Sequence, residues 1–133
     1  MRRMIGACIL ALAIGGPSLA KDQAGEWGGM GFQRDDPGQP AESWTIHITV
    51  QADGHARIAY PSLGCSGTLT RIAGNDTRTE YRESITHGRE HCVDGGIVGL
   101  VPRGARLFYY WVGEGSAEPD GVAVGFLERL PSR

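Results

Sequence analysis

From Glu26 onward polar and apolar residues alternate with a period of two, and no amphipathic segment of helical length interrupts the pattern. The alternation predicts strands over Glu26–Gln33, Ser43–Gln51, His55–Tyr60, Gly67–Ile72, Thr77–Thr86, Gly96–Val101, Ala105–Val112 and Val122–Leu130. Ala52-Asp-Gly54, Gly74-Asn-Asp76, Pro102-Arg-Gly104 and the stretch from Gly113 to Gly121 carry the glycine, asparagine and aspartate that tight turns favour. Arg34-Asp-Asp-Pro-Gly-Gln-Pro40 reads as a longer polar loop. About eight strands in short succession make an antiparallel meander the simplest topology, and the fold class is all-β.

Successive strand residues face opposite sides, so the same alternation assigns an inward face. It comprises Trp44, Ile46, Ile48 and Val50; Ile58 and Tyr60; Tyr81, Glu83 and Ile85; Leu107, Tyr109 and Trp111; and Ala123, Gly125, Leu127 and Arg129. Two charges fall on this otherwise apolar surface. An unpaired interior charge costs several kcal/mol, roughly, so Glu83 and Arg129 either meet each other inside or reach an open end of the barrel. As a structural pair they would be coupled in stability; as a ligand anchor they would orient a mostly apolar guest. Interior Trp27, Trp44, Tyr60, Tyr81, Tyr109 and Trp111 argue for a filled barrel.

The first 20 residues are of a different kind. Met1-Arg-Arg-Met is basic, Ile5 to Ile14 is a continuous apolar run, and Gly15-Gly-Pro-Ser-Leu-Ala20 ends with small residues at Ser18 and Ala20, the layout of a signal peptide cleaved near Ala20. The run is shorter than the roughly 20 residues of a spanning helix, and no later segment approaches that length. The expectation is a periplasmic or secreted chain with no membrane span, a single domain over residues 21–133. Loss of Arg2 and Arg3, with no acid, takes the formal charge from −2 to −4, which argues against a nucleic-acid partner. It also leaves Cys65 and Cys92 as the only cysteines, so one disulfide is expected in an oxidising compartment. Closing that loop is worth roughly 3 to 4 kcal/mol on the chain-entropy model.

Candidate chemistry is sparse. His87-Gly-Arg-Glu-His91 with Cys92 and Asp94 offers metal-ligand types, but histidines four apart share a face only on a helix, and this segment reads as a loop. Ser62 and Ser66 have histidines elsewhere in the chain but no nucleophile elbow. Glu80, Glu83 and Glu90 are carboxylates without a visible cleft. Gly28, Gly29, Gly31, Gly95 and Gly96 lack the following helix that a phosphate loop needs, and read as turns and bulges. No catalytic residue, metal site or cofactor is implied. Phe108 and Tyr110 alternate with Tyr109 and Trp111, so they face outward, either beneath a loop or as a candidate surface patch for a partner.

Gly25-Glu-Trp27 near the first strand and Arg129 at the end of the last resemble the opening and closing of calycin-type barrels such as lipocalins. The resemblance implies an approximately eight-stranded barrel with the tryptophan and arginine plugging one end. Tyr60-Pro-Ser-Leu-Gly-Cys-Ser-Gly-Thr-Leu69, Tyr81-Arg-Glu-Ser-Ile85, Cys92-Val-Asp-Gly-Gly96, Leu107-Phe-Tyr-Tyr-Trp111 and Ala123-Val-Gly-Phe-Leu127 resemble a family of small exported bacterial β domains. These stand alone or form the outer segment of actinobacterial serine/threonine kinases. That resemblance implies a Cys65–Cys92 bridge and a sensory or binding setting.

Two function classes follow. One is an exported binding or interaction module for a protein or envelope component, for example an inhibitor-like partner of a basic envelope enzyme. The other is a calycin-like carrier of a small hydrophobic ligand. The filled interior favours the first. Oxidised, denatured protein is expected to contain no free thiol by thiol titration, and two thiols per mature chain would remove the bridge from the reading.

Overall fold

Eight strands close into a barrel in sequence order: β1 (Gly25–Gln33), β2 (Glu42–Val50), β3 (Ala56–Tyr60), β4 (Cys65–Gly74), β5 (Thr79–His87), β6 (Ile97–Arg103), β7 (Arg106–Val112) and β8 (Val122–Arg129). The computed structural model describes residues 23–33, 38, 41–113 and 122–131. The expected signal peptide, most of the expected Arg34–Pro40 loop and the expected Gly113–Gly121 turn beyond its first residue lie outside the described residues. Every neighbouring pair is antiparallel, and β1 pairs with both β2 and β8. No described helix is long and apolar enough to cross a membrane.

Each expected strand is present, with no end moved by more than two residues. The inward face follows the alternation: Ile48, Tyr81, Val98, Leu100, Ala123 and Leu127 are wholly buried at its centre. Two register shifts break the β4–β5 ladder, one beside Ser66 and Gly67 and one between Arg71 and Ala73. The extra residue in each case is a bulge that bends the pair. Beyond Leu69 the whole of β4 is exposed to solvent.

The seam between β1 and β8 closes the barrel, and it depends on glycine. A methyl group on Gly125 would stand 2.1 Å from the carbonyl oxygen of Met30, and one on Gly29 would stand 2.1 Å from that of Phe126. Gly31 lies opposite Trp44, and a methyl there would stand 2.9 Å from the indole nitrogen. The glycines of β1 are therefore not turn residues, as their spacing predicts. Gly29 and Gly31 sit within a strand where a neighbouring backbone and a tryptophan approach too closely for a side chain.

The two ends of the barrel differ. At one, the guanidinium of Arg129 lies 4.3 Å above the ring of Trp27 and donates from Nη1 to the carbonyl of Ala24 at 2.6 Å. The indole of Trp27 donates to the carbonyl of Gln23 at 2.8 Å, so chain entry and exit are tied together. At the other, a disulfide joins Cys65, the first residue of β4, to Cys92 in the loop between β5 and β6. Gly125→Ala is expected to lower stability by about 2 kcal/mol or more in chemical denaturation, because backbone must move. Gly28→Ala, whose methyl meets only the flexible side chain of Leu130, is expected to cost less than about 1 kcal/mol. Equal losses would show that the seam tolerates side chains.

Candidate functional site

The disulfide end of the barrel holds a cavity of about 280 Å³. Its floor is Glu83, which is 2% exposed, together with Tyr60 and Tyr109; Trp44 and Trp111 form walls, and Glu42, Leu63, His91 and Val93 stand at the rim. Strand register brings these residues together. Tyr60 ends β3 opposite Cys65, Glu83 lies mid-β5, and Tyr109 and Trp111 occupy successive inward positions of β7.

Glu83 organises the floor. The Tyr60 hydroxyl donates to its Oε2 at 2.5 Å, and the Trp111 indole donates to its Oε1 at 3.0 Å. Tyr60 has a single hydroxyl proton and gives it to the carboxylate, so the 2.9 Å contact with Tyr109 is donated by Tyr109. A relay of two hydroxyls thus points at one carboxylate. Among the described residues no lysine or arginine pairs with Glu83 or lines the cavity. Burial raises the pKa of Glu83 above its ordinary 4.5, opposed by the hydrogen bonds from Tyr60 and Trp111. Burial, with the neighbouring Tyr109 and Glu83, pushes Tyr60 well above the usual phenol range, and burial does the same to Tyr109. The Trp44 indole nitrogen is buried without a protein acceptor.

The rim is built by two of the motifs. In Tyr60-Pro-Ser-Leu-Gly-Cys65 the backbone turns back on Tyr60, whose carbonyl accepts from Leu63 and Gly64. Ser62 and Thr45 exchange bonds, each backbone N–H donating to the other's hydroxyl at 3.0 and 2.9 Å, which fastens the turn to β2. In Cys92-Val-Asp-Gly-Gly96 the carboxylate of Asp94 accepts from the backbone of Ile85 and Gly95 and from Arg89 at 2.8 Å. These bonds hold Asp94 below the usual carboxylate range, the Ile85 backbone contributing most. The loop backbone meets at Gly88, where a methyl would stand 2.1 Å from the Gly64 carbonyl oxygen.

Glu83 and Arg129 share an inward face but do not form a pair. Glu83 bonds to Tyr60 and Trp111 at the disulfide end, whereas Arg129 is exposed and covers Trp27 at the opposite end. Alternation gives the face of a residue and not its height along the barrel. Of the two arrangements open to inward charges, the one realised is that each reaches an end. A second cavity of about 280 Å³ lies beside Arg129, bounded also by Gln23, Trp27, Arg106 and Leu107. The interior is therefore filled through its middle and hollow at both ends.

The histidines do not converge. His87 ends β5 and His91 lies in the loop after it, both exposed, His91 beside Glu90, and Cys92 is in the disulfide. Ser62 is engaged with Thr45. Phe108 and Tyr110 are half-buried and pack on strand side chains. Phe108 lies 5.4 Å from the ring of Phe126, Tyr110 crosses Gly99, and the Tyr110 hydroxyl donates to Glu80 at 2.5 Å. Burial and the Glu80 contact push Tyr110 up to about 12. The more exposed part of this surface is absent from the sequence reading: Met30, Phe32, Val124 and Phe126, at 39, 47, 38 and 46% exposure. They form two cross-strand rows, Phe108–Phe126–Met30 and Tyr110–Val124–Phe32, spanning β7, β8 and β1.

Comparison with protein-family models, curated proteins and solved structures finds no match, so the site is read from its own geometry.

Two outcomes follow from this geometry. The folded chain holds the Glu83 proton to a higher pH than the unfolded chain does. Between the ordinary value and the raised one the folded state binds more protons, so Glu83 makes stability fall as pH rises through that window. Glu83→Gln is expected to flatten this part of a denaturation-versus-pH profile, and a profile parallel to the parent would contradict it. Glu83→Ala and Arg129→Ala are expected to add within about 0.5 kcal/mol in a double-mutant cycle, because they share no contact. A larger coupling would restore the interior pair.

Proposed function

We propose that the chain is an exported binding protein that receives a small, mostly apolar ligand in the cavity at the disulfide end of the barrel. The observation that carries this reading is the Glu83 floor: a buried carboxylate, two tyrosines and two tryptophans arranged around about 280 Å³ of space. Small-molecule sites combine apolar and aromatic walls with a few placed polar groups, and this lining has that composition. The disulfide, the Asp94 bonds and the Ser62–Thr45 exchange support the rim and pre-organise it. Export agrees with the signal-like leader and with a disulfide at the site.

A second reading, docking of an envelope protein, is favoured by a separate observation: the exposed apolar rows on β7, β8 and β1. Contiguous apolar surface of this kind marks interaction sites. An inhibitor-like role toward a basic enzyme is one form of that reading.

Native mass spectrometry of mature protein isolated gently from its host separates the two. A discrete added mass too small for a polypeptide, lost from Trp44→Ala, is the expected result. A protein-sized addition that survives Trp44→Ala and is lost from Phe126→Ser would move the function to the outer face. A bare chain whose tryptophan fluorescence responds to no small molecule would defeat the cavity reading.

A further inference from the structure

We infer that the ligand of the disulfide-end cavity is a small organic cation of the quaternary or alkylated ammonium class. The inference rests on the cavity reading and adds the chemistry of the guest.

Glu83 is almost wholly buried, yet both of its oxygens accept hydrogen bonds from neutral donors, Tyr60 and Trp111, and no described cation offsets its charge. The two donors oppose the burial that raises the pKa of Glu83, and a positive guest beside the carboxylate would offset that burial further. No lysine or arginine is in the described lining, whose one imidazole, His91, stands at the exposed rim beside Glu90, while the cavity beside the carboxylate is open to a guest. Its aromatic lining is Trp44, Tyr60, Tyr109 and Trp111, side chains of the kind that surround bound ammonium groups. Glu42 adds a second acid at the rim. An anionic guest would meet two carboxylates and four π-systems. A neutral apolar guest would offer the Glu83 carboxyl no positive partner. An alkylated ammonium meets both demands, since its methyl groups fill apolar space and its charge faces the rings and Glu83. It also needs no hydrogen-bond donor from the protein, which suits a floor whose Tyr60 and Trp111 donors are already committed to Glu83.

The test is titration of the full mature, oxidised protein with choline and with 3,3-dimethylbutan-1-ol, the neutral analogue of the same shape, followed by tryptophan fluorescence and NMR. Choline is expected to bind at least about tenfold more tightly than the alcohol. Glu83→Gln, which preserves shape, is expected to remove most of that preference. Glu42→Gln is expected to weaken choline binding severalfold and tests the charge without touching the interior, should Glu83→Gln fail to fold. Equal binding of alcohol and choline would overturn the cation while leaving the cavity reading standing. Binding of neither, with a neutral or anionic small molecule found on the native protein, would do the same. Binding of neither by a protein that is bare when isolated would overturn both.

Discussion

The structure depends on the β1–β8 seam. An open eight-stranded meander would expose one apolar face and two unpaired edges, and closure removes both problems at once. Closure brings the backbones of β1 and β8 so near that Gly29 and Gly125 leave no space for a methyl group. The same glycine-rich β1 gives Trp44 room over Gly31, which sets one wall of the cavity. At the far end Trp27 and Arg129, cross-strand partners on this seam, cover the interior. The core and both ends of the barrel are thus consequences of one close strand contact.

Within the enclosure Glu83 stands out because stability alone does not call for it. Replacing a buried charged network by apolar side chains of similar volume is often neutral or stabilising. Here the carboxylate is kept, supplied with two donors, and placed at the base of a cavity instead of in the filled middle. The groups around the rim fit a division of labour. Cys65, Cys92, Asp94 and Ser62 fix loop positions through covalent and backbone contacts, leaving the aromatic and acidic side chains to line the space.

Most of the fold was legible in the chain because alternation marks strands and faces directly. All eight strands were visible, and the inward residues of β2, β3, β5 and β7 lie where alternation puts them. β1 was harder: its inward positions include Gly29 and Gly31, while larger Met30 and Phe32 point outward, so residue size misleads about the face. That is why the outer apolar rows, which draw on three strands, were recognised only as Phe108 and Tyr110. The Glu83–Arg129 pair failed for a related reason, since height along the barrel comes from register and no local pattern encodes it. Asp94 and Ser62 drew attention only as possible chemistry. Their structural role lies in backbone N–H groups of distant strands, Ile85 and Thr45, which a sequence does not display.

The filled middle of the barrel has a kinetic meaning. Ile48, Tyr81, Leu100 and Leu127 block passage along the axis, and Trp27 with Arg129 covers the opposite end. Among the described residues the chamber over Glu83 is consequently a blind cup with a single doorway. Whatever enters must leave by the same route, so an occupant can be exchanged only after it departs and never pushed through from behind. Residence time is then governed by the doorway, whose frame is tied down by the Cys65–Cys92 bridge.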